Sequence, residues 1–452
     1  MRRAAPDAPV RILDLAAPGG APAARRRLLT EQISDFRPDV IAFSWRDLQV
    51  FSPHDMDGAM RHAFTFFYDP SPAKKAAAAI AGVGDIIYYK GALSEGLALV
   101  AAACKAAPAA RIAAGGPAVT IFGELLRPRL PQRVRLITDL PQLFPFLSLA
   151  PPDDPFEPML DLPALEGAFP QWTAYTDSEI GVQTKRGCPQ QCLYCLYGFL
   201  EGRQVRRRAP ARVVKEIADY RTRWGARRFW LADAQLLSGA ADEDHLADIL
   251  GRLIAQRLDV TWSGYLRVNG LKPGLAQLMV ESGLRDIEVA LNSGAQGVLD
   301  ELRMGFSADE VIEGLSTLAS AGYSGRIKID ISLNSPGETQ ATLRETIGVV
   351  ERMKALFGPD RVVPVIFFLA VQPHTGLEKR ALADGRIGAG YDPLSVWPWD
   401  ARRLIYNPPP LDRVVGRSCA LAFRKDAPES GDLILQNLEA ALSAATVSGR
   451  RA

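Results

Sequence analysis

The chain has 452 residues, which is enough for two or three domains of ordinary size. Apolar residues make up 48% of the sequence and charged residues 23%, the proportions of a water-soluble globular protein. The formal net charge of +2 gives no sign of a nucleic-acid partner, and no apolar run reaches the roughly 20 residues of a membrane span. Five cysteines in so long a chain fit a reducing compartment, and charges interrupt the start of the chain, so no export signal forms. We therefore expect a cytoplasmic protein with neither a nucleic-acid nor a membrane partner.

The first 146 residues alternate between strand-like and helix-like patterns. Ser44 and Arg46 end the second predicted strand, and Gly115 and Gly116 end the fourth. Because glycine lets a backbone approach a ligand closely, we expect these four residues to line a ligand crevice at the carboxyl ends of the strands. The alternation predicts a doubly wound, Rossmann-like α/β domain over residues 1–146. Its strands are predicted over residues 10–15, 39–44, 85–89, 111–117 and 134–137, and its helices over 25–36 and 93–106.

The rest of the chain divides into three further segments. An irregular, proline-rich linker is predicted over residues 147–177. Between residues 178 and 371 six strand–helix repeats predict a partial (β/α)6 barrel, in which functional residues follow the carboxyl ends of the strands. Residues 372–452 are rich in turn-forming sequences and are predicted to be a loop-rich region that binds substrate or acts as a lid. The barrel strands are predicted over residues 179–184, 228–232, 259–263, 286–291, 326–333 and 362–370.

Three cysteines lie on the loop that leaves the first barrel strand. Cys188, Cys192 and Cys195 have the spacing C-x3-C-x2-C. Thiolates on one short loop can bind an iron–sulfur cluster, and three of them would leave one iron of a [4Fe–4S] cluster open for a small molecule. A zinc site would need a fourth ligand, and none lies at ligand spacing. A disulfide framework fits poorly with an odd total of five cysteines.

This loop resembles the signature of the radical S-adenosylmethionine (SAM) enzymes, in which an aromatic residue precedes the third cysteine. Tyr194 stands at that position, and the segment around Glu338 resembles a turn that is common in the same family. The resemblance implies that SAM binds at the open iron. Tyr265, at the end of the third barrel strand, is a candidate catalytic residue. The candidate contacts to SAM at the strand ends and on the cluster loop are Tyr194, Asp233, Asn292, Ser293, Asn334 and Glu338.

The N-terminal domain resembles the cobalamin-binding domain that precedes many radical SAM domains. Those domains often carry the motif D-x-H-x-x-G, whose histidine binds cobalt from below, and the present sequence lacks it. The resemblance therefore implies bound cobalamin without a histidine ligand. Arg46 matches the position of an arginine that lies beneath the cobalt in one subgroup of the family. The alternative is that Arg46 forms a surface ion pair with Asp47.

Together these features resemble the cobalamin-dependent radical SAM methyltransferases, and most closely the subgroup that methylates tryptophan. The resemblance implies that a methyl group passes from SAM through cobalamin to a carbon of a small molecule or peptide, with an indole such as tryptophan as one candidate acceptor. It also implies an external electron donor. Radical and polar routes of methyl transfer both stay open. The alternative functions are a rearrangement or cyclisation without methyl transfer, and a non-catalytic cofactor-binding module.

Overall fold

The computed structural model describes residues 8–15, 21–46, 59–151, 162–169, 171–175, 177–422 and 431–448. Two compact units make up the chain. The first unit contains residues 1–52, 86–177 and 392–395, and the second contains residues 53–85, 178–391 and 396–452. The boundaries that the sequence suggests, at residues 146, 177 and 371, stay predictions. Within the described residues no helix is both long enough and apolar enough to cross a lipid bilayer.

The first unit is built on a three-stranded parallel sheet with the order β1-β2-β3. The middle strand is buried from Ile112 to Ala114, as is usual for a parallel sheet covered on both faces. Helix α4 begins directly after this strand, with Gly116 as its N-cap. The elements up to residue 177 are α1 (Pro22–Phe36), β1 (Val40–Ser44), α2 (Ala59–Tyr68), α3 (Pro72–Ala106), β2 (Arg111–Gly115), α4 (Pro117–Leu126), β3 (Val134–Ile137), α5 (Leu140–Leu147) and α6 (Leu162–Ala168), with short 3₁₀ turns at Arg127–Arg129 and Trp172–Tyr175.

Two predicted strands of this unit are wrong. Residues 85–89 lie inside the 35-residue helix α3, because their β-branched and aromatic side chains are outweighed by the alanine-rich sequence on either side. Residues 10–15 form no strand either. The backbone N–H of Ile12 bonds to the carbonyl of Ala168 at 2.6 Å, and the N–H of Asp14 bonds to the Gln171 side chain at 3.2 Å. The segment is therefore tied to the end of α6 and the turn after it, not to a neighbouring strand.

The second unit contains the predicted partial barrel. Six parallel strands follow one another in the order β4-β7-β8-β9-β10-β11, and each is paired with the next. Helices alternate with these strands along the chain. The elements are β4 (Ile180–Val182), β5 (Lys185–Arg186), α7 (Tyr197–Leu200), β6 (Arg206–Arg207), α8 (Pro210–Trp224), β7 (Arg228–Leu231), α9 (Ala240–Gln256), β8 (Thr261–Tyr265), α10 (Pro273–Glu281), β9 (Leu284–Asn292), α11 (Gln296–Glu301), α12 (Ala308–Ser320), β10 (Arg326–Ser332), α13 (Gln340–Phe357) and β11 (Val362–Phe367). The strands form an open sheet in barrel order, which confirms the predicted α/β fold class.

The C-terminal region is more helical than the sequence suggests. It contains α14 (Gly376–Ala383), α15 (Asp412–Ala422) and α16 (Gly431–Ser448), besides 3₁₀ turns at Pro393–Ser395 and Pro398–Leu404. Helix α16 packs against α15, α13 and the last barrel strand. Its glycine Gly431 lies so close to the strand that an added Cβ would meet the carbonyl oxygen of Pro364 at 1.9 Å. Two of these three helices therefore complete the second unit around its last strand.

Candidate functional site

The cysteine loop leaves the carboxyl end of the first barrel strand, as predicted. A two-stranded antiparallel ladder between β5 and β6 closes its base, pairing Lys185 with Arg207. Inside the loop the N–H of Cys188 bonds to the carbonyl of Gly202 at 3.0 Å, and the N–H of Leu193 bonds to the carbonyl of Leu302 at 3.0 Å. The loop is therefore fixed at its base, at its first cysteine and beside its second cysteine.

Asp233, a predicted contact to SAM, holds the start of this loop. Its carboxylate accepts hydrogen bonds from the Thr184 N–H at 2.7 Å, from the Thr184 hydroxyl at 2.5 Å and from the Lys185 N–H at 3.1 Å. The side chain is 2% exposed, and burial raises its pKa to about 6. The structure thus connects the second barrel strand to the cluster loop through one buried carboxylate.

A buried ion cluster, which was not predicted from the sequence, lies beside this contact. The ammonium of Lys185 pairs with the carboxylate of Asp242, and both side chains are 2% exposed. Lys185 Nζ also donates to Ser238 Oγ at 2.9 Å, and Arg207 Nε donates to Asp242 Oδ1 at 2.8 Å. Because Lys185 and Arg207 stand on the two sides of the loop, Asp242 joins the two ends of the loop at its base. We call Lys185, Asp242 and Arg207 the loop clamp.

The three cysteines of the loop are free thiols in protected surroundings. Burial raises the pKa of Cys195 to about 12, and burial together with the neighbouring Cys188 raises the pKa of Cys192. In the described part of the chain no three His, Cys, Asp or Glu side chains are arranged to hold a single metal ion. Three thiols on one short loop are a donor set that can bind an iron–sulfur cluster.

A chain of hydrogen bonds runs from the cysteine loop across the carboxyl ends of two barrel strands. The Tyr194 hydroxyl donates to Asn292 Oδ1 at 3.1 Å, and Asn292 Nδ2 donates to the Ser332 hydroxyl at 3.1 Å. The hydroxyls of Ser332 and Ser335 are 2.8 Å apart, and the Ser335 N–H donates to Glu338 Oε2 at 3.0 Å. Three predicted site residues, on three different elements, are thus brought into one network.

Glu338 ends this network with one oxygen unused. Its Oε1 is buried and has no hydrogen-bond partner within the described part of the chain. Burial raises the pKa of this carboxyl to about 8, although the N–H groups of Ser335 and Asn334 oppose the shift. A buried carboxyl oxygen without a partner is costly, and a ligand that donates a hydrogen bond would remove that cost.

The side chains of two further predicted site residues form hydrogen bonds with other parts of the second unit. Ser293 Oγ lies 3.1 Å from the hydroxyl of Thr346 on helix α13. Asn334 Nδ2 donates to Asn407 Oδ1 at 2.6 Å and to the carbonyl of Pro408 at 2.7 Å. Both residues follow barrel strands, as predicted, and their observed contacts position neighbouring backbone.

Tyr265 is the last residue of β8. Its ring meets the ring of Trp230, on the neighbouring strand β7, edge-on, with centroids 5.1 Å apart. Burial, and after it the negative charges of Glu288 and Asp330, raise the pKa of Tyr265. The hydroxyl is thus a stable hydrogen-bond donor at neutral pH, bonded to Glu288.

The N-terminal candidates lie at the carboxyl edge of the three-stranded sheet. Ser44 and Arg46 are exposed on either side of Trp45, and Asp47 lies outside the described residues. Gly116 has φ 93°, and an added Cβ would meet the carbonyl oxygen of Trp45 at 2.6 Å. Its close approach is therefore to the chain after β1. Gly115 pairs with Ser44 in the sheet register, so the two strand ends stand side by side.

Each described histidine already has a contact within the second unit. His62 Nδ1 lies 2.6 Å from Asp85, His245 Nε2 lies 3.3 Å from the carbonyl of Thr184, and the ring of His374 stacks on Phe199 with centroids 4.2 Å apart. His54 lies outside the described residues.

The chain resembles known proteins in both sequence and fold. Residues 182–350 match the Radical SAM superfamily. Among curated proteins, an uncharacterized methyltransferase (PH0819) of Pyrococcus horikoshii is 23% identical over 172 residues, which are 38% of this chain and 36% of that protein. The chain thus spans about a third of the length of this relative. The match to the family model lies on the segment that carries the three cysteines and most of the barrel, and it confirms the predicted resemblance to radical SAM enzymes.

Two solved structures resemble nearly the whole chain. One is the radical SAM methyltransferase TsrM from Kitasatospora setae with cobalamin and a [4Fe–4S] cluster bound, with a TM-score of 0.59, 13% identity, and coverage of 96% of this chain and 94% of that one. The other is the same enzyme with tryptophan and a SAM analogue bound, with a TM-score of 0.60, 14% identity, and coverage of 85% and 71%. At this identity the likeness establishes a shared fold. That fold is the one expected from the sequence, an N-terminal α/β region followed by a radical SAM domain.

Proposed function

We propose that this chain, whose residues 182–350 match the Radical SAM superfamily, is a cobalamin-dependent methyltransferase acting on a carbon atom of a small molecule or peptide. The observation that carries the proposal is the loop of three free cysteines at the carboxyl end of the first of six sequential parallel strands. The shared fold with TsrM, whose structures hold cobalamin, a [4Fe–4S] cluster, tryptophan and a SAM analogue, supports it.

Cys188, Cys192 and Cys195 would hold the cluster. Burial raises the pKa values of Cys192 and Cys195 and so stabilises their thiol forms in the free protein. Thiolates are the ligands of iron, so cluster binding displaces these protons. The loop clamp and Asp233 hold the backbone of the loop in place before the cluster binds.

The network from Tyr194 to Glu338 would hold SAM. SAM offers hydroxyl and amino groups as hydrogen-bond donors, and one of them placed at Oε1 of Glu338 would favour the ionised carboxylate over the neutral form that burial favours in the free protein. Tyr194 and Asn292, which are hydrogen-bonded to each other, would position this ligand at the strand ends. Asp233, Ser293 and Asn334 would act less directly, by holding the backbone segments on which these groups stand.

The carboxyl edge of the first unit would hold cobalamin. Ser44 and Arg46 are exposed there, beside Gly115. An arginine cannot coordinate cobalt, since its guanidinium stays protonated in proteins. Arg46 at this edge would place a permanent positive charge beside a bound corrin, and that charge would disfavour the oxidised, more positive state of its cobalt. When bound, the three cofactors supply electron transfer, the methyl group and its carrier, with an external protein or reductant as the source of electrons.

The acceptor site would be the interior of the barrel, where aromatic side chains gather. Trp230 meets Tyr265, and Tyr194 lies against Phe367 with ring centroids 6.1 Å apart. Stacking surfaces of this kind suit a flat aromatic acceptor, and an indole such as tryptophan is the acceptor that we test first. Tyr265 would orient a polar group of the acceptor near the reacting carbon by accepting a hydrogen bond at its hydroxyl oxygen, whose O–H is bonded to Glu288.

The test uses purified, anaerobically reconstituted protein with cobalamin, a reductant and SAM that is isotopically labelled in its methyl group. Transfer of the label to tryptophan or to another indole is the expected result, and the Cys192→Ala variant should give none. Formation of 5′-deoxyadenosine with an altered but unlabelled product would replace methyl transfer by rearrangement or cyclisation. Intact SAM after prolonged incubation of cluster-loaded protein would point to a non-catalytic module.

A further inference from the structure

An ion pair in the first unit is left incompletely satisfied. Arg25 Nη1 donates to Glu95 Oε2 at 3.1 Å. Two other atoms of the pair, Arg25 Nε and Glu95 Oε1, are both buried, and neither has a hydrogen-bond partner among the residues that the structure describes. One unused donor and one unused acceptor thus belong to the same pair of side chains.

The pair belongs to the carboxyl edge of the three-stranded sheet. Glu95 is followed by Gly96, at which an added Cβ would lie 3.5 Å from the indole of Trp45. Trp45 directly follows β1, and its N–H bonds to the carbonyl of Gly115 at 2.9 Å. Arg25 lies in the first turn of α1, the helix that leads down to β1. Both side chains are therefore close to the strand ends at which we place the corrin.

The stability of α1 gives no reason for an arginine at this position. A positive charge in the first turn of a helix opposes the helix dipole, and α1 has no acidic residue there to offset it. Leaving a buried donor and acceptor unpaired costs further free energy, about 1–3 kcal/mol for each. A ligand that pairs both atoms would reverse this cost. Because Nε and Oε1 are themselves covered, both side chains would have to turn to meet such a ligand, and 28% of the Arg25 side chain and 13% of the Glu95 side chain are already exposed.

A primary carboxamide is the chemical group that complements this pair. Its C=O accepts a hydrogen bond and its NH2 donates one, so it can bond to Arg25 Nε and Glu95 Oε1 together. A carboxylate could accept a hydrogen bond from Arg25 only, and the negative charge of Glu95 would repel it. The rim of a corrin ring carries acetamide and propionamide side chains, which are groups of this kind.

We propose that Arg25 and Glu95 form an amide-recognition pair that binds a side-chain carboxamide of the corrin ring, an inference that rests on the cobalamin binding proposed above. The pair would select fully amidated corrinoids over corrinoids that carry free carboxylates. It would act in cofactor binding and selection, apart from the chemistry of methyl transfer.

The test measures corrinoid affinity by absorbance titration of the protein, without any turnover. Two corrinoids that lack the nucleotide tail are compared: cobyric acid, whose side chains are amides apart from one carboxylate, and cobyrinic acid, whose side chains are all carboxylates. Wild-type protein should prefer cobyric acid. In Glu95→Gln, which keeps the size of the side chain and an acceptor oxygen, the affinity for cobyric acid should fall roughly fivefold, because a neutral amide oxygen is a weaker acceptor than a carboxylate. The affinity for cobyrinic acid should rise, because the repulsion is gone, so the preference should collapse.

A second variant and a matched control separate recognition from folding. Arg25→Met should also bind cobyric acid roughly tenfold more weakly, since it loses the guanidinium donor. The control is Arg129→Met, which removes an ion pair to Asp392 in the same unit, with comparable exposures of 26% and 23%. Arg129 follows the far end of α4, about 15 Å from the carboxyl edge by the rise of a ten-residue helix. Its loss should leave both affinities unchanged.

The possible failures are distinguishable. If wild-type protein binds neither cobalamin nor the two corrinoids, the proposed function falls and the recognition pair falls with it. If wild-type protein binds cobalamin but the preference between the two corrinoids is the same in Glu95→Gln, the pair has only a structural role and the inference is overturned alone. An equal loss of both affinities in Arg25→Met and Arg129→Met would overturn it in the same way.

Discussion

The loop clamp gives a prediction whose size can be worked out from its contacts. Removing one partner from a buried ion pair costs about 3–5 kcal/mol, because the other charge is left without compensation. In Lys185→Met the remaining carboxylate of Asp242 keeps Arg207 and also accepts from the Ser238 N–H at 3.0 Å. In Asp242→Asn the ammonium of Lys185, 2% exposed, keeps the Ser238 hydroxyl and only an amide oxygen in place of the carboxylate. We therefore expect a loss of about 3 kcal/mol for Lys185→Met and a larger loss, nearer 5 kcal/mol, for Asp242→Asn.

The assay has two parts. Urea unfolding of the cluster-free protein gives the free energies, and the rate at which a chelator strips iron from reconstituted protein reports on the loop itself. Both variants should lose iron faster than wild type. The control is Lys215→Met, which removes an exposed ion pair to Asp219 with side chains 71% and 35% exposed, and should cost less than about 0.5 kcal/mol. If Lys185→Met unfolds within 0.5 kcal/mol of wild type, or if Asp242→Asn is the milder change, the reasoning from burial is wrong.

Three further predictions follow from single side chains. Cys192→Ala should abolish the absorbance of the reconstituted cluster, whereas Cys419→Ala, at a fully buried thiol on α15, should leave it unchanged; equal cluster content in the two variants would contradict the assignment. Burial raises the pKa of Glu338 to about 8, so the folded state favours the neutral form of this carboxyl. The free energy of unfolding of the wild-type protein should therefore fall, relative to that of Glu338→Gln, as the pH rises from about 4.5 to about 8. Parallel stability curves for the two proteins would refute this. Gly116→Ala, at φ 93°, should lower the free energy of unfolding in urea by more than about 2 kcal/mol. Gly91→Ala lies inside helix α3 with nothing within 4 Å of the added Cβ, and it should raise the free energy of unfolding by about 0.5–1 kcal/mol.

The barrel was largely predictable because its strands and helices have different hydrophobic periods. Helix α8 is an example, since it begins with Pro210 at its first turn and ends before Gly225, which caps it with φ 70°. Its buried side chains Val213 and Ile217 are four residues apart, on one face. The cysteine loop was predictable for a related reason, because its three ligands are close together in sequence.

Features that depend on distant partners were not predictable. Residues 85–89 read as a strand on local preference, and only the flanking alanines of α3 decide the helix. Asp242 looks like an ordinary acidic residue in the first turn of a helix, yet it pairs with Lys185, 57 residues earlier in the sequence. Nothing in the local sequence around either residue marks them as a pair. The same holds for Arg25 and Glu95, which are 70 residues apart.

The candidate residues differ physically in whether the protein itself satisfies their polar atoms. The carboxylate of Asp233 accepts three hydrogen bonds from its own chain, and Asn334 donates two. Such residues fix the loops whether or not a ligand is bound. Glu338 keeps an unsatisfied buried atom next to a strand end, as does Gln235 after β7. Each unsatisfied buried atom costs the ligand-free protein about 1–3 kcal/mol, so ligands that pair these atoms should bind more tightly than their contact area alone suggests.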